Sequence, residues 1–210
     1  TSTGIKQARD GRLIVPVAID KEIVSLQFIN DDGEKRFLTG GKLKGGWFMI
    51  EGERDVVYVA EGYSTARSIH EATGKTVYIA FNAGNLYEVC SYVKSAELNS
   101  RIVIAGDDDT KTEGNVGRTK AEQTADGLGA DVVFPAGFND FNDMHCDKGI
   151  KTLKSYLNPK KLDAYQKKEQ TKVSDLNRPI GILGDIFDYY NTTSGNRQEG
   201  FAIQTALAIG

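Results

Sequence analysis

Our interpretation of the fold starts from one stretch of the sequence, Arg101-Ile102-Val103-Ile104-Ala105-Gly106-Asp107-Asp108-Asp109. Its first half is a short apolar run, as expected for a strand buried on both faces, and its second half contains three aspartates. In an open α/β sheet, ligands bind at the carboxyl ends of the strands. Side chains alternate along extended backbone, so Asp107 and Asp109 are expected to point the same way. The stretch therefore predicts a buried strand that carries two carboxylates to a ligand site.

Acidic residues follow two other predicted strands. Glu61 comes directly after the apolar run at 56–60, and Asp140 begins the segment Asp140-Phe141-Asn142-Asp143 after a run at 131–135. Each has a plainer interpretation when taken singly, as a solvated loop, a helix cap or an Asx-rich turn. Adjacent parallel strands lie about 5 Å apart, so these carboxylates can converge. Converging carboxylates need a shared cation, and hard oxygen ligands favour Mg²⁺ or Mn²⁺.

The remaining sequence divides into a β-rich beginning and an alternating middle. Residues 1–52 predict a small, basic antiparallel subdomain, because β-rich runs alternate with turn residues; the runs lie at 13–19, 23–29, 35–38 and 47–50. Residues 53–148 predict a parallel sheet flanked by helices, because buried strands alternate with helical stretches. We expect a helical, charged linker over 149–178 and the start of another domain over 179–210.

Composition excludes several classes of protein. The 210 residues are 40% hydrophobic and 26% charged, which is typical of a soluble globular chain. No apolar stretch approaches the roughly 20 residues of a membrane span, so no membrane partner is expected. Two cysteines and two histidines offer no structural zinc site, and reduced thiols fit a cytoplasmic location. The net charge of −3 argues against a dedicated nucleic-acid-binding module, although an enzyme with a local basic patch remains compatible.

The acidic motifs resemble the Toprim domain of bacterial-type primases, type IA and type II topoisomerases and certain nucleases. The resemblance rests on a strand ending in Glu61-Gly62, a strand ending in Asp107-x-Asp109, and the later Asp140-Phe141-Asn142-Asp143. The β-rich runs before them, with Gly40-Gly41-Lys42-x-Lys44-Gly45, resemble the basic subdomain of primases from phages, plasmids and mobile elements. The tail at 179–210 resembles the segment that leads into a fused helicase. One departure is the longer loop at 110–115, which the cellular primases lack.

The resemblance implies roles for individual residues. Glu61 is expected to act as general acid or base or as a metal ligand, and Asp107 and Asp109 to bind the catalytic metal. Asp140 is expected to complete the metal site, while no role is carried over for Asp108. The implied activity is that of a DNA-dependent RNA primase, with single-stranded DNA, nucleoside triphosphates and a fused or associated replicative helicase as partners.

A basic, glycine-rich segment is the second candidate site. Arg36, Lys42 and Lys44 lie around flexible glycine pairs, where backbone N–H groups can approach phosphate oxygens closely. We expect this cluster to hold a triphosphate or the template backbone, although a solvated hairpin turn fits the same pattern. Two other functions stay open at this point: a Toprim nuclease, and a non-catalytic metal-binding or helicase-associated DNA-binding module.

Overall fold

Two β-sheets organise the part of the chain that the computed structural model describes, residues 4–109 and 114–158. The predicted following domain at 179–210 and most of the predicted linker lie outside these residues. Among the helices of the described ranges, none has the length and apolar character that a membrane span requires.

The first sheet is antiparallel, as the sequence predicts. Its order is β1-β2-β3-β4, with β1 at Lys6–Gln7, β2 at Leu13–Ile19, β3 at Glu22–Ile29 and β4 at Lys35–Phe37. Asp20 and Lys21 both have positive φ, at 49° and 71°, and join β2 to β3 in a tight turn. This turn geometry matches the twist of the flanking strands and fixes the hairpin register.

The second sheet carries the predicted α/β architecture. Its order is β5-β7-β6-β8-β9, with β5 at Phe48–Ile50, β6 at Glu53–Ala60, β7 at Lys75–Ile79, β8 at Arg101–Ala105 and β9 at Asp131–Val133. All neighbours are parallel except β5, which is antiparallel to β7. Five helices accompany these strands in the described ranges: α1 at Tyr63–Thr73, α2 at Leu86–Ala96, α3 at Val116–Leu128, α4 at Phe141–Lys148 and α5 at Ile150–Tyr156.

Strand β6 separates two layers of helices. Val56, Tyr58 and Ala60 face a cluster built with α1, α4 and α5, whereas Val57 and Val59 face a cluster built with α2 and α3. This alternation explains why the strand is apolar throughout, because both of its faces are buried.

The strand order also creates a switch point. The chain runs from β6 through α1 to β7 on one side, and then returns to β8 on the other side of β6. Ala60 and Ala105 are register partners at the carboxyl ends of β6 and β8. A crevice for ligands forms where connections leave a parallel sheet in opposite directions, so the fold itself points to this edge.

Strand β5 belongs to a different sheet from the one that the sequence-based division at residue 52 predicts. It was expected in the β-rich subdomain, yet Phe48 pairs with Ile79 and Ile50 with Val77 in the larger sheet. Phe48 and Ile50 are buried there, which explains the placement. The two sheets are joined just before β5, where Trp47 and Ala18 exchange backbone hydrogen bonds at 2.9 and 3.0 Å.

Helices α4 and α5 also differ from expectation. The sequence predicted a metal ligand at Asp140, with an Asx-rich turn as the plainer alternative, and a helical, charged linker from residue 149. In the structure both segments are helices that pack on α1. Leu153 and Leu157 are fully buried, and the hydroxyl of Tyr58 donates to the Leu157 carbonyl oxygen at 3.2 Å. The core therefore extends beyond residue 148, because these two leucines complete one face of the sheet.

Candidate active site

Glu61 and Asp107 lie side by side at the switch point. Glu61 follows β6 and Asp107 follows β8, so the register of these two strands brings them together. Gly117 in the first turn of α3 lies against both residues. A Cβ at Gly117 would be 3.3 Å from Glu61 Oε1 and 3.3 Å from Asp107 Cβ. The absence of a side chain at Gly117 therefore lets α3 approach the two acids closely.

The carboxyl groups of Glu61 and Asp107 both have a raised pKa. Burial is the largest cause of the raised pKa of Asp107; together with the negative charges of Glu61, Asp140 and Asp143, and against the opposing effect of Lys35, it brings that pKa to about 8. Burial also raises the pKa of Glu61 to about 7, against the opposing effect of Lys35. Glu61 Oε1 and Asp107 Oδ1 are buried without a hydrogen-bond partner among the described residues. A cation placed between them would offset the desolvation of both carboxylates.

Asp140 has a structural role in addition to its negative charge. It is the N-cap of α4, where Oδ1 accepts from the backbone N–H of Asp143 at 2.8 Å. Its Oδ2 accepts from the hydroxyl of Thr65, a buried residue of α1, at 3.1 Å. Asp140 therefore caps a helix, where the plainer interpretation of the sequence was an Asx-rich turn, and its negative charge also raises the pKa of Asp107.

The predicted metal ligands form a charge cluster and not a closed coordination shell. The negative charges of Glu61 and Asp140 both act on Asp107, and Asp109 is half-buried two residues beyond Asp107. Across 4–109 and 114–158, no three acidic, histidine or cysteine side chains are already arranged around a metal position. The donors nevertheless fit a hard divalent cation, because they are all carboxylates and two of their buried oxygens lack partners.

Lys35 is the basic residue that faces the acids, and the sequence-based interpretation missed it. Its Nζ would lie 3.3 Å from a Cβ at Gly62, and its charge lowers the pKa of both Glu61 and Asp107. Alternation along β4 is the signal that identifies it, since Lys35 and Phe37 share a face and Phe37 contacts the ring of Phe81.

The predicted phosphate-binding cluster lies on the surface. Arg36 is on the opposite face of β4 from Lys35 and pairs with Glu34 at 2.9 Å. Lys44 pairs with Glu88 at 3.0 Å, and Lys42 is exposed. Exposed ion pairs of this kind are weak, so these side chains remain available to an anionic ligand. Their proposed role stays a prediction.

The glycine-rich segment is more ordered than its composition indicates. Asn85 is buried; its side-chain oxygen accepts from the Gly45 N–H at 2.7 Å, and its amide donates to the Gly46 carbonyl oxygen at 2.8 Å. The N–H of Gly46 donates to Leu43, and that of Gly41 donates to Leu38. The expectation that these N–H groups approach phosphate is therefore not met, because internal acceptors engage them.

Comparison with known proteins agrees with this geometry. Residues 56–151 match the family model described as the Toprim domain. Two Escherichia coli proteins, both named DNA primase TraC, are 38% identical over 121 residues and 34% identical over 143 residues. These matches cover 53% and 63% of this chain but 11% and 10% of the relatives, so the chain spans about a tenth of their length.

Solved structures share the fold. The RNA polymerase domain of Mycobacterium tuberculosis primase DnaG has a TM-score of 0.54 at 17% identity, covering 99% of this chain and 75% of that chain. The zinc-binding and RNA polymerase domains of Aquifex aeolicus primase give 0.54 at 14% identity, covering 99% of this chain and 55% of that one. Residues 56–151 therefore form a Toprim domain of the kind found in plasmid-type DNA primases.

Proposed function

We propose that this chain is the catalytic core of a DNA-dependent RNA primase, which makes short primers on single-stranded DNA by metal-dependent nucleotidyl transfer. The observation that carries the proposal is the pair of buried, partnerless carboxylate oxygens of Glu61 and Asp107 at the switch point. The names of the two similar Escherichia coli proteins support the same activity. We also propose that the chain acts as part of a longer primase with a fused or associated replicative helicase.

The four acidic residues have a common task in this proposal. Glu61, Asp107, Asp109 and Asp140 would hold Mg²⁺ or Mn²⁺, which would lower the pKa of the attacking hydroxyl and neutralise charge on the phosphates. The four side chains are half-buried at the sheet edge, where a substrate can reach them. Thr65 and the cap at Asp143 hold Asp140 in place through its two oxygens.

Glu61 is suited to accept the proton of the attacking group. The 3′-hydroxyl oxygen forms a bond to the α-phosphorus, the bond between the α- and β-phosphates breaks, and pyrophosphate leaves. The hydroxyl proton moves to a Glu61 carboxylate oxygen, because Glu61 lies beside Asp107 and one of its oxygens has no hydrogen-bond partner among the described residues. Lys35 adds a positive charge at the same edge, where it can attract the triphosphate before reaction.

Primer synthesis on single-stranded DNA tests this proposal, with the protein at its full natural length. Glu61→Gln and Asp107→Asn each keep the size of the side chain, and we expect each to reduce nucleotide incorporation by at least about a hundredfold. Asp126→Asn makes the same change at an exposed position on α3 and is expected to retain activity. Full activity in both site variants would contradict the assignment.

The alternative activities give different results in the same experiment. Cleavage of labelled DNA with Mg²⁺, without nucleotide incorporation, would indicate a nuclease. Binding of DNA or helicase by the wild type, with neither reaction detected, would indicate a non-catalytic module. Substituting Arg36, Lys42 and Lys44 together by Gln tests their proposed contact with triphosphate or template, since we expect a raised KM and a weaker salt dependence of DNA binding.

A further inference from the structure

Asp108 has no role in the proposed chemistry, although it lies between two proposed metal ligands. Its Oδ1 accepts from the Asn115 side-chain amide at 2.7 Å, and its Oδ2 accepts from Arg118 Nη1 at 2.9 Å. Its backbone N–H donates to the carbonyl oxygen of Asn139 at 2.7 Å. The side chain is only 14% exposed. Asp108 therefore connects the end of β8 to α3 and to the loop before α4.

We propose that Asp108 is a positioning residue, which holds Asp107 in the acidic cluster by fixing the backbone next to it. The inference rests on the proposed function, because it assigns Asp108 a part in that same site. Successive side chains on extended backbone point to opposite sides. Asn115 and Arg118 bind Asp108, whereas Asp107, the residue before it, lies among the other acids.

Two details of Asn115 and Arg118 show that the surrounding fold positions both residues for their contact with Asp108. Asn115 adopts left-handed backbone, with φ at 39°, directly before α3, and its side chain makes no cap hydrogen bond to that helix. It binds Asp108 instead. Arg118 also stacks its guanidinium 4.1 Å from the ring centre of Phe134, which follows β9. Asp108 is thus connected to α3 and, through Arg118, to the residue that follows β9.

Electrostatics explains why such a restraint is needed. Asp107 lies among Glu61, Asp140 and Asp143, and their negative charges repel its own once it ionises. Without an anchor, the end of β8 can relieve this repulsion by moving Asp107 away from the cluster. The ion pair between Asp108 and Arg118 opposes that movement, and it adds no negative charge to the cluster because Arg118 neutralises it.

A titration with Mn²⁺, followed by electron paramagnetic resonance, tests the inference on the complete protein. Asp108→Asn and Arg118→Gln each break the ion pair, and we expect each to weaken Mn²⁺ binding about tenfold, as is usual when a group that orients a metal ligand is lost. The double variant should bind no more weakly than the single variants, because both remove the same interaction. Glu122→Gln is the matched control, since it removes a different ion-pair partner of Arg118 and leaves Asp108 untouched.

Primer synthesis at saturating Mn²⁺ separates a positioning role from general damage. Because the metal-binding carboxylates remain, activity of Asp108→Asn should recover at high Mn²⁺, whereas Asp107→Asn should stay inactive. Wild-type Mn²⁺ affinity in both Asp108→Asn and Arg118→Gln, or no Mn²⁺ binding by the wild type, would overturn the inference. Mn²⁺ binding that weakens as expected in a protein that makes no primers would support the inference and contradict the proposed function. Since the two substitutions act from different elements, misfolding of one variant leaves the other as a test.

Discussion

Replacing Asp107 by asparagine is expected to stabilise the metal-free protein and to inactivate it at the same time. Asp107 is buried beside other carboxylates, and one of its oxygens has no hydrogen-bond partner among the described residues. Asparagine has nearly the same shape but carries no charge. The substitution therefore removes an unfavourable buried charge and, with it, a proposed metal ligand.

The size of the effect follows from the pKa of the carboxyl group. A raised pKa means that folded Asp107 keeps a proton that the unfolded chain releases, so stability is lost as pH rises from 3.8 toward about 8. Each pKa unit corresponds to about 1.4 kcal/mol, so the shift from 3.8 to about 8 sets an upper limit of roughly 6 kcal/mol at pH values above the folded pKa. Relaxation and water penetration reduce such values, and we expect about 2 kcal/mol. For a chain of this size, that corresponds to an increase in Tm of roughly 4–8 °C.

Thermal unfolding with a chelator measures this directly. Between about pH 5 and pH 9, the wild type should lose stability, and Asp107→Asn should lose less, with only the Glu61 contribution remaining. Added Mn²⁺ should reverse the order, because a ligand present at about a hundred times its Kd stabilises the folded state by about 2.7 kcal/mol. Asp126→Asn, the exposed control, should follow the wild type under both conditions.

The opposite outcome would refute the reasoning. If Asp107→Asn melts at or below the wild-type temperature at alkaline pH without metal, Asp107 is not a strained buried charge. If Mn²⁺ stabilises the variant as much as the wild type, Asp107 does not bind the cation.

Three other substitutions test separate parts of the site. Lys35→Met removes the positive charge near Glu61, so the pKa of the Glu61 carboxyl should rise. The acidic limb of the pH–rate profile should then move to higher pH. Arg36→Met, on the other face of β4, is the control and should leave that limb unchanged. Gly117→Ala places a methyl group 3.3 Å from Glu61 Oε1, so kcat should fall while the far-ultraviolet circular dichroism stays native. Asn85→Ala removes three hydrogen bonds and leaves buried backbone groups without partners. The free energy of unfolding measured in urea should therefore fall by about 2–3 kcal/mol. An unchanged free energy would contradict a stabilising role of the hydrogen bonds of Asn85.

Local patterns in the sequence were sufficient to predict the strands of the large sheet and the helices between them. The runs at 56–60 and 102–105 are apolar throughout, and Glu61 and Asp107 follow them within two residues, so the strand positions and the acids at their ends are predictable from neighbours in the chain. Gly74, in left-handed backbone with φ at 72°, ends α1 as the sequence indicates. These features depend on residues that are adjacent in sequence, which is why they were found.

Only the tertiary structure decided which side chains meet. Lys35 lies 26 residues before Glu61, and nothing in the local pattern distinguishes it from Arg36 except the face of a short strand that pairs with β3. The contact of Asp108 with Arg118 and the burial of Leu153 likewise depend on elements that are distant in sequence. The sequence by itself determined the alternation of strands and helices and the acids at the strand ends, because backbone periodicity and burial are local properties. Which charged side chains face one another was decided by packing between segments that are distant in sequence.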